Sequence, residues 1–257
     1  MNAEKYLARL HAPRPSAPTA EALRALTRAH LERVPFENLE ICFERRCPSL
    51  EPEDLYRKVA EEGRGGYCFE LNKLFYLLLR ELGYDCYCPA ARIPYRRPDP
   101  RPLSHRTIIV RAEGGRWLCD VGFGGPSPKG AMLLDAGEQV VEGETFSSRR
   151  EDGVLTVYRH DPDGVQPLTC FRDEPSPEAD FDVLNGYWGY HPGSVFTQKP
   201  VLYRCIPGGI LSLKGDEFAV TRQGETVQSR QISGEEELAS VLRDSFGLAL
   251  PRDAGSK

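Results

Sequence analysis

Residues 64–83 read RGGYCFELNKLFYLLLRELG, and this stretch decides the centre of the fold. Apolar residues recur at spacings of three and four, which predicts a buried helix that begins near Cys68 and ends at Gly83. The inward positions are Phe75, Leu78, Leu79 and Leu82. Cys68 would then stand at a helix N-terminus directly after two glycines, where backbone N–H groups favour a thiolate. A small packed core residue is the ordinary alternative for a cysteine.

The composition of the 257-residue chain is that of a globular protein, with 40% hydrophobic and 28% charged residues. The net charge of -5 is mild and gives no sign of the basic surface that nucleic acid requires. No apolar run approaches the roughly 20 residues of a membrane span. We therefore expect a cytoplasmic protein that binds neither nucleic acid nor a membrane.

The eight cysteines are spaced irregularly along a chain much longer than a small secreted scaffold. In a reducing compartment, such cysteines are free thiols. The spacings Cys42-x4-Cys47 and Cys86-Tyr-Cys88 differ from the C-x2-C pairs of zinc sites, and neither pair has a nearby His-x3-5-His partner. We expect no metal.

Periodicity predicts an α+β protein in three regions. Residues 1–84 read as helical, with Thr19 as an N-cap and a short helix marked by Leu55 and Val59. Residues 85–200 contain the β-like runs HRTIIV, RWLCDV and VLTVYR, and a fourth run, PVLYRC at residues 200–205, is grouped with them. Together these runs indicate a sheet or small barrel.

In the third region, residues 201–257, the run ILSLKGDEFAVTR at residues 210–222 is a predicted strand pair. An amphipathic helix follows, with Ser233 and Glu236 in a capping-box pattern and a stop at Gly247.

A catalytic thiol needs a base, and the base needs an orienting group. His105 opens a predicted strand after a proline-rich loop, and Asp120 is an acidic residue at the end of an apolar run. A hairpin turning at Gly114-Gly115 pairs Ile109 with Asp120 and puts the histidine and the aspartate on one face. It also leaves them about 13 Å apart along the sheet. Contact therefore requires a bulge or a different pairing, and the sequence alone does not show it.

Five motifs in these regions resemble those of the arylamine N-acetyltransferases. The motifs are VPFENLEI at residues 34–41, RGGYCFE at 64–70, SHRTIIV at 104–110, DVGFGG at 120–125 and HPGSVF at 191–196. The resemblance implies a helical bundle, a central β-barrel and a C-terminal α/β lid, around a core similar to that of cysteine proteases and transglutaminases. It also implies a catalytic triad of Cys68, His105 and Asp120.

The activity implied by this resemblance is acetyl transfer from acetyl-CoA to an arylamine, hydrazine or hydroxylamine, by a ping-pong mechanism through an acetyl-cysteine. A transglutaminase-like or amide-hydrolysing thiol enzyme is the alternative that uses the same triad. A binding module that keeps the fold without catalysis is the third class. The physiological acceptor, the acyl chain preference and the oligomeric state stay open.

Other matched residues are assigned roles by the resemblance. Phe36 and Phe123 would line the acceptor pocket, with core packing as the alternative, and Gly124, Gly125 and Ser194 would approach CoA, although turn geometry alone also accounts for the glycines. Arg64 and Glu37 would form a structural ion pair beside Cys68.

Two departures from the family pattern bear on selectivity. Arg106 follows the histidine where relatives often have an apolar residue, and residues 92–102, RIPYRRPDPRP, form a basic loop. Both features could alter contacts to acceptor or CoA, although a solvated loop is the simpler interpretation of the second.

Overall fold

The computed structural model of the protein describes residues 2–97 and 102–251. The helices in these residues are α1 (Ala3–Leu10), α2 (Ala20–Arg33), α3 (Leu39–Cys42), α4 (Pro52–Tyr56, continued by a π-helical turn over Arg57–Glu61), α5 (Cys68–Glu81), α6 (Glu178–Tyr190), α7 (Val195–Gln198) and α8 (Gly234–Val241, continued by a π-helical turn over Leu242–Phe246). The strands are β1 (Asp85–Tyr87), β2 (Ala90–Arg92), β3 (His105–Arg106), β4 (Ile109–Ala112), β5 (Gly115–Leu118), β6 (Met132–Leu133), β7 (Gln139–Val141), β8 (Glu144–Glu151), β9 (Val154–Asp161), β10 (Gly164–Arg172), β11 (Val201–Ile206), β12 (Gly209–Lys214), β13 (Glu217–Arg222) and β14 (Glu225–Gln231).

Helix α5 is the centre of the N-terminal core, as its apolar spacing predicts. Phe75, Leu78 and Leu79 are fully buried, and they belong to one hydrophobic cluster with residues of α1 and α2. The predicted N-cap of α2 is confirmed, because the Thr19 hydroxyl accepts a hydrogen bond from the Ala22 N–H at 3.2 Å. The core that carries Cys68 is therefore built mainly from helices, with residues of β4 and β5 packed against them.

The prediction of a β-barrel in the central region is wrong for the described residues, in which no closed barrel forms. The strands form two open antiparallel sheets, in the orders β1-β4-β5-β6 and β3-β2-β10-β9-β8-β7. Strands β3 and β4 are consecutive in the chain but belong to different sheets, so the hydrogen-bond ladder does not continue between them. The two sheets instead pack face to face, with Ile109 and Leu118 of one against Phe146 and Leu155 of the other.

The β4–β5 hairpin forms one residue earlier than predicted. Its turn lies at Glu113-Gly114, where φ is 50° and 74°, and Ala112 pairs with Gly115. Positive φ at both central residues is the geometry that matches the strand twist in a two-residue hairpin. Ile109 consequently pairs with Leu118 and not with Asp120.

The C-terminal sheet has the order β11-β12-β13-β14. The sequence analysis placed the run that becomes β11 with the central strands, but β11 pairs with β12, and β14 was not predicted. Ser233 does precede α8, yet its N–H is held by the Glu237 carboxylate at 2.8 Å and not by Glu236. The predicted stop at Gly247 is confirmed, with φ at 71°.

The sequence analysis did not predict helix α6. Two contacts stabilise this helix. Phe181 is fully buried near Phe69 with a ring separation of 6.3 Å, and the Glu178 carboxylate accepts two hydrogen bonds from the Arg106 guanidinium at 2.7 and 3.1 Å. These contacts join residues that are far apart in the sequence, so no local sequence pattern predicts them.

Arg106 therefore contacts α6, whereas its position beside His105 in the sequence suggested contacts to the acceptor or CoA. Its side chain is fully buried, lies 4.3 Å from the centroid of the Phe181 ring and connects α6 to β3.

Of the basic loop, residues 98–101 lie outside the described residues, as do residues 252–257 of the third region. The division of the chain at residues 84 and 200 stays a prediction. None of the described helices combines the length and the apolar character that a membrane crossing requires.

The two glycines of α6 provide a matched test of its packing. A Cβ at Gly189 would lie 2.6 Å from the Cys47 sulfur, whereas a Cβ at Gly186 meets nothing within 4 Å. Gly189→Ala should lower the free energy of unfolding by about 1–3 kcal/mol through overpacking. Gly186→Ala should raise it by about 0.5–1 kcal/mol, because alanine favours a helix. Urea denaturation of both variants measures this, and equal shifts would contradict the position of α6.

Candidate active site

The Cys68 loop is held by a carboxylate from the first turn of α5. Cys68 is the first residue of the helix, and the Glu70 side chain accepts a hydrogen bond from the Tyr67 N–H at 3.1 Å. A Cβ at Gly66 would lie 2.9 Å from the same carboxylate, so only glycine leaves room for this contact. The thiol consequently stands at the N-terminus of a buried helix, with its Sγ 3.8 Å from the Ser104 carbonyl oxygen.

The predicted ion pair beside this loop is confirmed. The Arg64 Nη2 lies 2.9 Å from Glu37 Oε1, and Glu37 is buried. The other Glu37 oxygen accepts a hydrogen bond from the Leu39 N–H at 2.7 Å. The backbone at Glu37 also pairs with Gly66, whose carbonyl oxygen lies 2.8 Å from the Glu37 N–H. The pair therefore fixes the glycine turn that precedes Cys68.

His105 and Asp120 are in direct contact. The Nε2 atom of His105 lies 2.5 Å from Asp120 Oδ2, and both side chains are buried. The second oxygen, Oδ1, accepts hydrogen bonds from the Asn72 side chain at 2.9 Å and from the Gly122 N–H at 3.1 Å. The carboxylate thus has partners for both oxygens, as a buried charge requires.

A change of strand pairing makes this contact possible. His105 pairs with Ala91 of β2, and the chain then crosses into the other sheet. The pairing of β4 with β5 continues one residue beyond the strands, where the Cys119 N–H donates a hydrogen bond to the Ile108 carbonyl oxygen at 2.9 Å. One more step of this register puts Asp120 opposite Thr107, two residues from His105 and not four. The requirement for a different pairing, stated from the sequence, is met.

The pKa of His105 is raised strongly. Burial of the ring opposes its charge, but the Asp120 charge and hydrogen bond, together with the Cys68 thiol, raise the pKa of His105 to about 10. Asp120 occupies Nε2, which leaves Nδ1 as the ring nitrogen available to Cys68. The imidazole therefore stays protonated beside the sulfur across the neutral pH range, which favours a thiolate–imidazolium pair.

A cavity of about 450 Å³ opens onto these residues. Cys68 and His105 line its buried end, and Phe123 packs edge-on against the His105 ring at a centroid distance of 5.4 Å. Phe36 and Gly124 also line the cavity, and a Cβ at Gly124 would lie 2.6 Å from the Phe36 ring. Phe36 and Phe123 thus both line the cavity, and their contact with an acceptor stays a prediction.

Two other residues that were predicted to contact CoA, Gly125 and Ser194, do not line this cavity. Gly125 lines a neighbouring cavity. Ser194 is fully buried, and its hydroxyl donates to the Trp188 carbonyl at 2.7 Å and accepts from the Phe196 N–H at 3.2 Å. This hydroxyl caps α7 and is not at the cavity wall. Contacts of Gly124, Gly125 and Ser194 to CoA stay predictions.

Residues of the site that the sequence analysis missed come from several elements. The aromatic side chains among the additional wall residues are Tyr95, Trp188, Phe196 and Tyr203. Asn72 was also missed, although a polar residue on the inward face of α5, one turn after Cys68, is a signal that the sequence contains. Its amide holds Asp120, and its Oδ1 accepts the Val121 N–H at 3.0 Å. Asn72 therefore positions the aspartate against the helix that carries the thiol.

In residues 2–97 and 102–251, no group of three or more histidine, cysteine or acidic side chains is arranged to hold a metal ion. All eight cysteines are free thiols. The metal-free mechanism expected from the sequence stays a prediction.

Comparison with known proteins identifies relatives along almost the whole chain. A family model described as N-acetyltransferase matches residues 19–254. An arylamine N-acetyltransferase / N-hydroxyarylamine O-acetyltransferase of Salmonella typhimurium is 33% identical over 250 residues, which are 95% of this chain and 88% of that protein. The solved M. smegmatis arylamine N-acetyltransferase superposes with a TM-score of 0.91 at 31% identity, over 97% of this chain and 93% of that one. The Mycobacterium marinum arylamine N-acetyltransferase in complex with CoA has a TM-score of 0.90 at 28% identity, over 96% and 92% of the two chains.

The link between Asp120 and Cys68 predicts a pH effect on the thiol. Asp120→Asn removes the charge that raises the pKa of His105, so the imidazole loses its proton at lower pH. Alkylation of Cys68 by iodoacetamide at pH 6 should slow at least about tenfold, because a neutral imidazole no longer stabilises the thiolate, and the difference from the wild-type rate should narrow as the pH rises. Site-resolved mass spectrometry between pH 5 and 9 measures this.

The control for this experiment is Asp54→Asn, because Asp54 pairs with Arg57 on α4 and does not line the cavity. This variant should keep the wild-type profile. An Asp120→Asn profile equal to that of the wild type would contradict the coupling.

Proposed function

The chain belongs to the arylamine N-acetyltransferase family, and we propose that it transfers the acetyl group of acetyl-CoA to arylamines through an acetyl-cysteine at Cys68. The observation that carries this proposal is that Cys68 and His105 line the buried end of one cavity, while Asp120 binds the Nε2 side of the His105 ring. Arylhydrazine and arylhydroxylamine acceptors and a cytoplasmic location belong to the same proposal.

In the first half-reaction, Cys68 is the nucleophile. His105 holds the proton that the thiol has lost, and Asp120 orients the ring through Nε2. The thiolate forms a bond to the thioester carbonyl carbon, and backbone N–H groups near Cys68 stabilise the developing oxyanion. As the bond to the CoA sulfur breaks, His105 gives its proton to that sulfur. Cys68 is then acetylated.

In the second half-reaction, the amine attacks the acetyl-cysteine. His105, now neutral, takes a proton from the attacking nitrogen, and the Cys68 sulfur leaves as a thiolate. The thiolate–imidazolium pair is thereby restored. An arylamine suits this step because its weakly basic nitrogen is unprotonated at neutral pH.

The cavity walls favour transfer over hydrolysis. Cys68 has an exposed fraction of only 3%, and Phe36, Phe123 and Phe196 surround the approach to it. Aromatic walls exclude water from the acyl-enzyme and offer apolar surface to a flat amine. A hydrolase using the same triad would instead need a water path to the thioester.

Incubation with acetyl-CoA and p-anisidine tests this proposal. We expect the acetanilide product, parallel double-reciprocal plots, and a burst of one CoA per protein when the amine is omitted. Acetate without anilide would indicate a hydrolase and contradict the proposal.

Substitutions of the triad should remove this activity. Cys68→Ala should lower turnover by at least about four orders of magnitude, and Asp120→Asn by about two to four. Cys205→Ala is the matched control, because Cys205 does not line the cavity and should keep normal turnover. Turnover by Cys68→Ala at the level of Cys205→Ala would refute the assignment of the nucleophile.

A further inference from the structure

A second cavity, of about 630 Å³, brings three arginines together away from the Cys68 site. Arg9 is in the last turn of α1, Arg33 is the last residue of α2, and Arg204 is on β11. We call this space the arginine cavity. Tyr203 lines the Cys68 cavity and the next residue, Arg204, lines the arginine cavity, but the two cavities share no lining residue. They are therefore separate sites.

The three arginines lack partners for their charge. Arg9, Arg33 and Arg204 form no ion pair within residues 2–97 and 102–251. The Nε–H groups of Arg9 and Arg204 are buried and have no hydrogen-bond partner in the same part of the chain. Arg9 makes one hydrogen bond, from its Nη2 to the Gly63 carbonyl oxygen at 3.2 Å. Because buried polar groups are almost always hydrogen-bonded, these two donors require an explanation.

The charges of these arginines also repel one another. Burial lowers the pKa of Arg9, and the charges of Arg33 and Arg204 lower it further. Burial and the charge of Arg33 likewise lower the pKa of Arg204. By contrast, the pKa values of Arg64 and Arg159 are raised despite burial, because carboxylates face both side chains. The arginine cavity thus holds positive charge that the described residues do not compensate.

The remaining wall of the arginine cavity combines one carboxylate with apolar surface. Glu32 is the acidic residue among the described residues that line it, and three arginines against one glutamate leave an excess of two positive charges. Ile206, Pro207 and Phe246 add apolar side chains. A phosphate monoester carries a charge of about −1.5 to −2 near neutral pH, which matches this excess.

We propose that the arginine cavity is a binding site for a phosphate group, either free or carried by a small monoester. Arginine presents its donors in a planar fork and binds phosphate through two parallel hydrogen bonds. A bound dianion would give the Nε–H groups of Arg9 and Arg204 a partner and remove the repulsion between the arginines. This inference does not depend on the proposed acetyl transfer, because none of these arginines lines the Cys68 cavity.

Stabilisation of helix ends is the alternative role for two of these residues. Arg9 and Arg33 are in the last turns of α1 and α2, where a positive charge is favourable without any ligand. That role does not involve Arg204, which is on a strand, and it does not explain why three unpaired cations line one cavity. It also predicts no response to phosphate, so the two roles can be separated by experiment.

Titration with inorganic phosphate in a chloride buffer at neutral pH tests the inference. Calorimetry should detect one site, and phosphate should raise Tm more than chloride does at the same ionic strength. Arg33→Gln and Arg204→Gln should each raise the Kd for phosphate at least about tenfold, because a hydrogen bond between two charged groups is lost. In chloride alone, Arg33→Gln should be at least as stable as the wild type, since it removes a repelling charge.

Two variants outside the arginine cavity are the controls. Arg28→Gln removes another arginine of α2, one that pairs with Glu142 at the surface, and it should keep the wild-type Kd. Lys199→Gln/Lys214→Gln removes two cations of the Cys68 cavity and should also keep the wild-type Kd. Because the Arg33 side chain is exposed, Arg33→Gln decides the outcome if Arg204→Gln does not fold.

Phenyl phosphate distinguishes the two sources of the phosphate group, because its ring can contact the apolar wall. Binding at least as tight as that of inorganic phosphate, and weakened by Arg33→Gln, would identify a site for monoesters. Binding that is weaker than that of inorganic phosphate would identify the free anion as the ligand.

Three results would overturn the inference. The first is a wild-type Tm that responds equally to phosphate and to chloride. The second is a wild-type Kd for phosphate in Arg33→Gln and in any Arg204→Gln protein that folds. The third is a loss of binding confined to Lys199→Gln/Lys214→Gln, which would place the phosphate in the Cys68 cavity.

Discussion

The site depends on the burial of one carboxylate. Asp120 has an exposed fraction of 3%, and a charge removed from water in this way is costly unless both oxygens have partners. The partners come from three places in the chain: His105 on β3, Asn72 on α5 and the Gly122 N–H in the loop after β5. Satisfying this charge therefore brings a strand and a helix together, and Cys68 is on that helix. The contact of thiol and imidazole follows from the same constraint.

The two residues of β3 serve opposite sides of the strand. His105 faces Asp120 and the cavity, and Arg106 faces α6, where Glu178 and Phe181 hold its guanidinium. This arrangement follows from the alternation of side chains along an extended strand. Helix α6 also supplies Trp188 to the cavity wall. A departure from the family pattern that suggested a change in substrate contacts thus supports the packing of a helix that shapes the cavity.

The charges along the cavity follow a simple order. The pKa of His105 is raised by Asp120, so a positive imidazole stands beside the thiol at the buried end. Aromatic side chains also line the cavity, and Arg97, Lys199 and Lys214 are among its exposed cationic residues. A cleft lined by one sign of charge concentrates ligands of the opposite sign. Under the proposed function, the same order suits a donor that is anionic at one end and an acceptor that is aromatic and neutral.

The amino-acid sequence by itself determined what depends on local periodicity and residue type. Helix α5 was predicted from its apolar spacing, because a helix has a fixed repeat. The N-cap at Thr19 was predicted because the N–H groups at a helix N-terminus need partners. The candidate residues Cys68, His105 and Asp120 were likewise identified from residue chemistry and motif resemblance.

The tertiary structure decided what depends on contacts between distant residues. The crossing of the chain between two sheets, which reduces the separation of His105 and Asp120, follows from pairing with β2 and not from any local pattern. Helix α6 contains two glycines, and Arg106, far away in the sequence, supplies a buried partner for Glu178 in its first turn. Burial and pairing of charges are properties of the whole fold, and for that reason the sequence named the residues of the site but did not place them together.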